Sequence, residues 1–225
     1  MAFSHSSKAR LTLRDLDRFP GGSLFDRVAR AVCRAGCLPR KELYEAWETA
    51  RRARRLFRGG RVVDLAGGHG LLALAMLVLD DTSEEALVMD RVLPPSAGRV
   101  HAAMLDAWPR LAGRVTFAAG ELEDVRLLET DLVVSNHACG RLTDVVLDLA
   151  VAARARVAVL PCCHDLAACD TAELSGWLDP ALAIDVVRAL RLRQLGYRVW
   201  TREIPAAITP KNRLLLAAPA PGTGA

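Results

Sequence analysis

The 225-residue chain is poor in lysine, in aromatic residues and in long apolar runs. Lys8, Lys41 and Lys211 are its three lysines, so 27 of its 30 basic residues are arginine. Aromatic residues make up 5%, too few to advertise a base-stacking platform for single-stranded nucleic acid. The longest apolar run, Leu71 to Leu79, is too short to cross a bilayer. The first twenty residues lack the apolar segment of a signal peptide. A cytoplasmic protein without membrane contact is therefore expected, its six cysteines held as thiols. No Cys-x-x-Cys pair occurs, and the adjacent Cys162 and Cys163 are poorly placed for an unstrained disulfide.

What is present is an ordinary globular composition, 52% hydrophobic and 25% charged, long enough for one core. The charge is unevenly spread. Residues 1–63 hold 15 basic and 6 acidic residues, a net of +9, whereas residues 64–225 hold 15 and 20, a net of −5. Such a front can mark a polyanion-binding end, although arginine-rich usage also contributes. Residues 1–22 read as a loosely docked lead-in closed by Pro20-Gly21-Gly22. Ser23 then caps one helix, and Pro39 and Lys41 open a second whose end carries Arg51, Arg52, Arg54, Arg55 and Arg58. These arginines suit a phosphate-tracking stripe, and so possible RNA binding, or the negative end of the helix dipole.

From residue 59 short apolar runs alternate with helical stretches. Strands are expected at 61–66, 86–89, 114–117, 132–135 and 156–160, with helices at 70–79, 97–108, 143–153, 171–178 and 181–195. Two strands near 197–204 and 213–217 close the chain. Unalternating apolar strands mean burial on both faces. The expected fold is α/β, a doubly wound, mostly parallel Rossmann-like sheet of seven-strand type. Residues 1–58 form a basic helical N-terminal addition and 59–225 the cofactor-binding domain.

In such sheets ligands sit at the carboxyl ends of the strands. The first strand runs into Asp64-Leu65-Ala66-Gly67-Gly68-His69-Gly70. Gly67, Gly68 and Gly70 allow a tight turn into a helix N-terminus, with His69 placed to contact a cofactor. The stretch also fits the dinucleotide pattern GxGxxA. However, Asp64, four residues before Gly68, would crowd a pyrophosphate but can hold the amino group of S-adenosylmethionine. Asp90 ends the second strand and can accept both ribose hydroxyls. Glu121, after the third, can accept from an adenine amino group. Asn136 follows the fourth and joins the cofactor set.

Beside Asn136 lies His137, a candidate to orient an acceptor hydroxyl or take its proton, or simply to satisfy a loop carbonyl. His137, Cys139, Cys162, Cys163 and His164 include enough ligand types for zinc. None of them has finger-type spacing, so the cysteines read as small apolar fillers and no metal site is expected. Arg141, Lys211 and Arg213 are candidates for anionic contacts.

The set His137-x-Cys139-Gly140-x-x-Thr143-Asp144, with Pro161-Cys162-Cys163-His164 and Thr209-Pro210-Lys211-Asn212-Arg213, resembles a group of class I methyltransferases. That group includes tRNA ribose 2′-O-methyltransferases of the acceptor stem and methyltransferase-like proteins with poorly defined substrates. The resemblance covers about residues 40–217 and departs at Ala66, where the group usually has glycine. It implies S-adenosylmethionine as cofactor and an RNA acceptor of the tRNA ribose 2′-hydroxyl kind. The zinc-binding N-terminal segments of the tRNA enzymes have no counterpart before residue 40. Small-molecule or protein methylation, or a non-catalytic adenosyl-binding module, are the alternatives.

Overall fold

The computed structural model describes residues 3–221. The outer ends of the two expected segments, residues 1–2 and 222–225, lie outside the described residues. Helix α1 (Leu24–Ala35) starts where the Ser23 hydroxyl accepts the Asp26 N–H at 3.1 Å, and stops at Gly36. Helix α2 (Arg40–Leu56) leads into strand β1 (Val62–Leu65). The chain then alternates through α3 (Leu71–Leu79), β2 (Ala86–Asp90), α4 (Ser96–Ala107), β3 (Val115–Ala119), β4 (Leu132–Ser135), α5 (Leu142–Ala152) and β5 (Arg156–Val159). Helix α6 (Pro180–Gln194) begins at Asp179, whose carboxylate accepts the Leu182 N–H at 3.1 Å. Strands β6 (Tyr197–Glu203) and β7 (Arg213–Pro219) end the fold.

The seven strands form one sheet in the order β3-β2-β1-β4-β5-β7-β6. The first five are parallel, and β7 runs antiparallel to both β5 and β6. Successive residues of a strand point to opposite faces. Val62, Leu132 and Val134 thus enter the core that α1 to α4 cover, while Val63, Leu65 and Val133 enter the one under α5 and α6. Both faces are dry, so the strands read as unbroken apolar runs. Helix α3 is apolar all round because it is buried against the sheet, with α2 packed on it. Among the described residues no helix is long and apolar enough to cross a membrane.

Three expectations are revised by the structure. The lead-in is docked rather than loose, with Leu11 and Phe19 buried in the main core. Its backbone is tied down where Leu11 donates to the Leu38 carbonyl at 2.9 Å and Arg40 to that of Ala9 at 3.0 Å. The helix expected at 171–178 is a loop with one 3-10 turn at Leu174–Gly176. Ala172 and Glu173 there adopt left-handed backbone, which an α-helix cannot contain.

The third revision concerns the arginine stripe. Arg54 is buried and ion-paired with Asp80 at 3.1 Å, and Arg51 and Arg52 both pair with Glu48. Helix α2 runs antiparallel to the following β1, so its arginine-rich end lies at the opposite edge of the sheet from the glycine turn. Thirteen residues of helix separate Arg55 from Glu42 at the turn end, about 20 Å.

The pair Arg54–Asp80 joins α2 to the end of α3 with both side chains at most 3% exposed. Asp80→Asn leaves a buried guanidinium uncompensated and should cost about 3–5 kcal/mol in urea unfolding. Arg58→Ala, which removes the exposed second partner of Asp80 at 3.4 Å, should cost less than about 1 kcal/mol. Equal losses would show that Arg54 is not the partner that matters.

Candidate active site

The turn after β1 is built on a buried carboxyl. Asp64 is 1% exposed and its Oδ2 accepts the Ala73 N–H, in the first turn of α3, at 3.3 Å. It joins no ion pair among the described residues. Burial pushes its pKa up to about 8, with the Ala73 bond opposing and the charge of Asp90 reinforcing the shift. The backbone then folds directly over this carboxyl. A Cβ on Gly67 would lie 2.8 Å from both Asp64 Cγ and Val88 Cγ1, and one on Gly70 2.6 Å from the Phe117 ring. Only glycine fits either place. Ala66, however, holds a φ of +55° with a Cβ attached, a strained conformation.

Two open pockets flank the turn. The first, about 360 Å³, is lined by Ala66, Asp90, Arg91, Gly120, Glu121 and Leu122 among others. Asp90 accepts the Gly68 N–H at 2.9 Å, and exposed Glu121 lies 3.4 Å from Arg91. The strand-end carboxylates Asp90 and Glu121 therefore meet in one cavity. Asp64 lies beneath the turn. Asn136, the other expected cofactor residue, is 3% exposed, and neither atom of its side-chain amide has a partner. An unpaired buried amide costs about 1–3 kcal/mol, which a bound group can recover.

The second pocket, about 300 Å³, opens on the other side of the turn and is lined by Glu42, Gly68, His69, Pro94, Ser96 and His137 among others. His69 Nδ1 accepts the Leu71 N–H at 3.2 Å, which leaves the proton on Nε2, 2.8 Å from the Glu42 carboxylate. The His69 and His137 rings meet edge to face with centroids 5.6 Å apart. One ligand-type atom from each of Glu42, His69 and His137 lies within 4.8 Å of the other two. Burial pushes the pKa of His137 down, helped by His69 and opposed by Glu42. Burial alone would raise Glu42, but its contact with His69 outweighs this and leaves the carboxyl below its ordinary range. His137 is thus a neutral base facing an ionised carboxylate. Sequence reasoning missed Glu42 because an acid in the first turn of a helix is ordinary dipole chemistry.

The remaining motif residues are brought together for a different purpose. Arg188 of α6 grips both oxygens of Asp144, at 2.8 and 2.9 Å, and donates to the Gly140 carbonyl at 2.9 Å. Asp185 faces His164 at 2.8 Å and Arg213 at 2.6 Å. Arg213 is therefore spent on α6 rather than offered to an anion, whereas Lys211 and Arg141 are exposed. The five residues weighed together as zinc ligands separate into three groups. His137 joins Glu42 and His69, His164 joins Asp185, and Cys139, Cys162 and Cys163 stay together.

The sequence model of a family described as a methyltransferase domain matches residues 42–170. This chain belongs to that family. The match begins at Glu42, so it takes in the helix that supplies the carboxylate. No curated protein matches the chain. Among solved structures, the chain is similar to an O-methyltransferase family protein from Burkholderia thailandensis, at 18% identity and a TM-score of 0.52, over 95% of this chain and 64% of that one. It also resembles the mitomycin 7-O-methyltransferase MmcR, at 19% identity and a TM-score of 0.51, over 91% of this chain and 60% of that one. A third is the precorrin-6y C5,15-methyltransferase from Geobacter metallireducens GS-15, at 14% and 0.50, over 80% and 88%. These likenesses establish the fold, and the chain spans less than two thirds of the length of the first two.

Two measurements probe the turn. Ala66→Gly relieves the left-handed strain and should stabilise the protein by about 1 kcal/mol in urea unfolding. Asp64 holds its proton more tightly folded than unfolded, since its folded pKa is about 8 against an ordinary 3.8. Its contribution to stability is therefore complete below the unfolded value and is lost as pH rises through about 8. The stability advantage of Asp64→Asn over wild type should widen steadily from about pH 5 to pH 8. A constant difference across that range would mean that Asp64 is ionised in the ligand-free protein.

Proposed function

We propose that this methyltransferase takes its methyl group from S-adenosylmethionine and transfers it to a hydroxyl, with an RNA ribose 2′-hydroxyl as the acceptor. The observation that carries this reading is the Glu42–His69–His137 set, which faces an open pocket against the same glycine turn that borders the carboxylate pocket.

The residues present fit the cofactor. A turn closed to any Cβ, the carboxylates of Asp90 and Glu121 in one cavity, and the orphaned amide of Asn136 together supply acceptors for ribose hydroxyls and an adenine amino group. Asp64 beneath the turn supplies negative charge for the cofactor's amino group once it ionises. Gly67, Gly68, His69 and Gly70 form the cradle. When bound, S-adenosylmethionine supplies a methyl group on a cationic sulfonium. The chain does the rest. His137 takes the proton of the acceptor hydroxyl. Glu42 stabilises the imidazolium so formed and, through His69, fixes the edge of the pocket. Exclusion of water and alignment of the acceptor supply the rest of the acceleration.

We place the basic surface suited to RNA around the two pockets rather than on α2. The arginine end of α2 is too distant and too heavily paired. Exposed Arg91 lines the carboxylate pocket, Arg99 reaches to within 3.3 Å of the space beside Gly36, and Arg141 follows the His137 loop. Arg91, together with Arg99 and Arg141, which are close in the chain to the lining residues Ser96 and Leu142, supplies the phosphate contacts we assign.

Labelled methyl groups offered with total RNA, protein and small-molecule fractions should enter RNA, in nucleotides whose neighbouring linkage resists alkali. Incorporation into another fraction alone would displace the RNA acceptor, and incorporation nowhere with cofactor still bound would favour a regulatory binding module. His137→Ala should leave the calorimetric affinity for S-adenosylhomocysteine intact and lower turnover about 10²–10⁴-fold. Glu42→Gln should give a smaller loss of the same kind. Unchanged turnover in His137→Ala would remove it from the mechanism.

A further inference from the structure

A second cluster lies two residues beyond His137, on the far side of the same loop. Cys139 Sγ is 3.1 Å from Cys162 Sγ, which is 3.9 Å from Cys163 Sγ, and all three sulfurs lie within 4.8 Å of one another. All six cysteines are free thiols. A tetrahedral zinc ion with bonds of about 2.3 Å needs sulfurs about 3.8 Å apart. Small side-chain movements would bring each pair here to that spacing.

The backbone carrying the sulfurs is held from both sides. Gly140 N–H donates to the Cys163 carbonyl at 3.1 Å and joins the two loops directly. Thr143 donates to the Ala138 carbonyl at 2.6 Å, and Leu160 N–H to that of Ser135 at 2.9 Å. Arg188 fixes Gly140 and Asp144, while Asp185 fixes His164, next in the chain to Cys163. The His164 side chain is 2% exposed, and its Nδ1 has no partner while Nε2 is bound to a carboxylate. That is the second-shell arrangement common around metal-bound histidine. Apolar filling requires neither three converging sulfurs nor an ionic network to position their loops. Cys139 and Cys163 are exposed, so an ion has a path in.

We propose that Cys139, Cys162 and Cys163 form a three-thiolate site for a divalent cation of the zinc class, with a fourth position taken by water or, after a small loop shift, by His164. Each thiol gives up its proton to solvent as its sulfur bonds to the ion, so one ion displaces three protons and no oxidant is involved. The site is independent of the acceptor and cofactor readings above.

The full-length protein, reduced and freed of metal by chelation, would be titrated with Zn²⁺ and with Co²⁺ as the spectroscopic probe. One equivalent should remain after desalting, and Co²⁺ should show intense thiolate-to-metal charge-transfer absorption and the visible bands of tetrahedral coordination. Cys139→Ser and Cys163→Ser change exposed side chains, and circular dichroism would confirm that each still folds. Either should abolish the retained equivalent, whereas His137→Ala should keep it. His164→Ala decides the fourth ligand: weaker binding assigns His164, unchanged binding assigns water, and the thiolate bands persist in both cases. Retention without thiolate absorption, or retention that survives Cys139→Ser but not His137→Ala, would place the ion on Glu42, His69 and His137 and overturn the proposal. No retained metal in the reduced wild type would overturn it outright.

Discussion

Asp64 lies near the end of strand β1 with a carboxyl that has left water, meets no cation among the described residues and is held by the Ala73 N–H. Burying a carboxylate without a partner is costly, so the group keeps its proton with a pKa near 8. The rest of the site is arranged around this group. The glycine turn must pass over it without a Cβ at Gly67, and the first turn of α3 is pinned to it. The pockets on either side are separated by the same few residues. A cationic ligand group arriving at the turn would find a carboxyl ready to ionise. Binding there would thus be coupled to proton release.

The parallel arrangement explains why so much chemistry meets in so little space. Strands β1, β2, β3, β4 and β5 all end on one edge of the sheet, which brings Asp64, Asp90, Glu121, Asn136 and the two cysteine-bearing loops together. Around that edge the chain separates its tasks. Carboxylates border one pocket, an ionised Glu42 with two histidines borders the other, and three sulfurs sit beyond His137. The α6 network of Arg188, Asp185, Asp144, His164 and Arg213 holds the last two loops in register. Asp144 of the resemblance motif and Arg213, a candidate for anionic contact, serve this scaffolding.

The order of strands and helices was legible because each strand is an apolar run bounded by turn residues, and its neighbours are helices with caps such as Ser23 and Asp179. One helix was misplaced, at 171–178, where apolar spacing competed with the left-handed backbone at Ala172 and Glu173. The strand-end acids and His137 were legible for a related reason, since in a parallel sheet position along the chain fixes position at the edge. Glu42 was not. It reaches the site because α2 packs on α3, a contact between elements whose pairing no local pattern encodes.

The sequence by itself determined the sheet, the glycine turn and which residues stand at the strand ends, because hydrophobic periodicity and glycine's freedom act over a few residues. Only the tertiary structure decided what those residues meet. It turned Arg51, Arg52 and Arg54 of α2 into structural ion pairs at the far edge, because a helix running back along the sheet carries its end away from the site. It paired Glu42 with His69 and divided the cysteines and histidines among three clusters. Such partnerships depend on distances of a few ångströms between segments far apart in the chain, and those distances exist only once the two cores have closed.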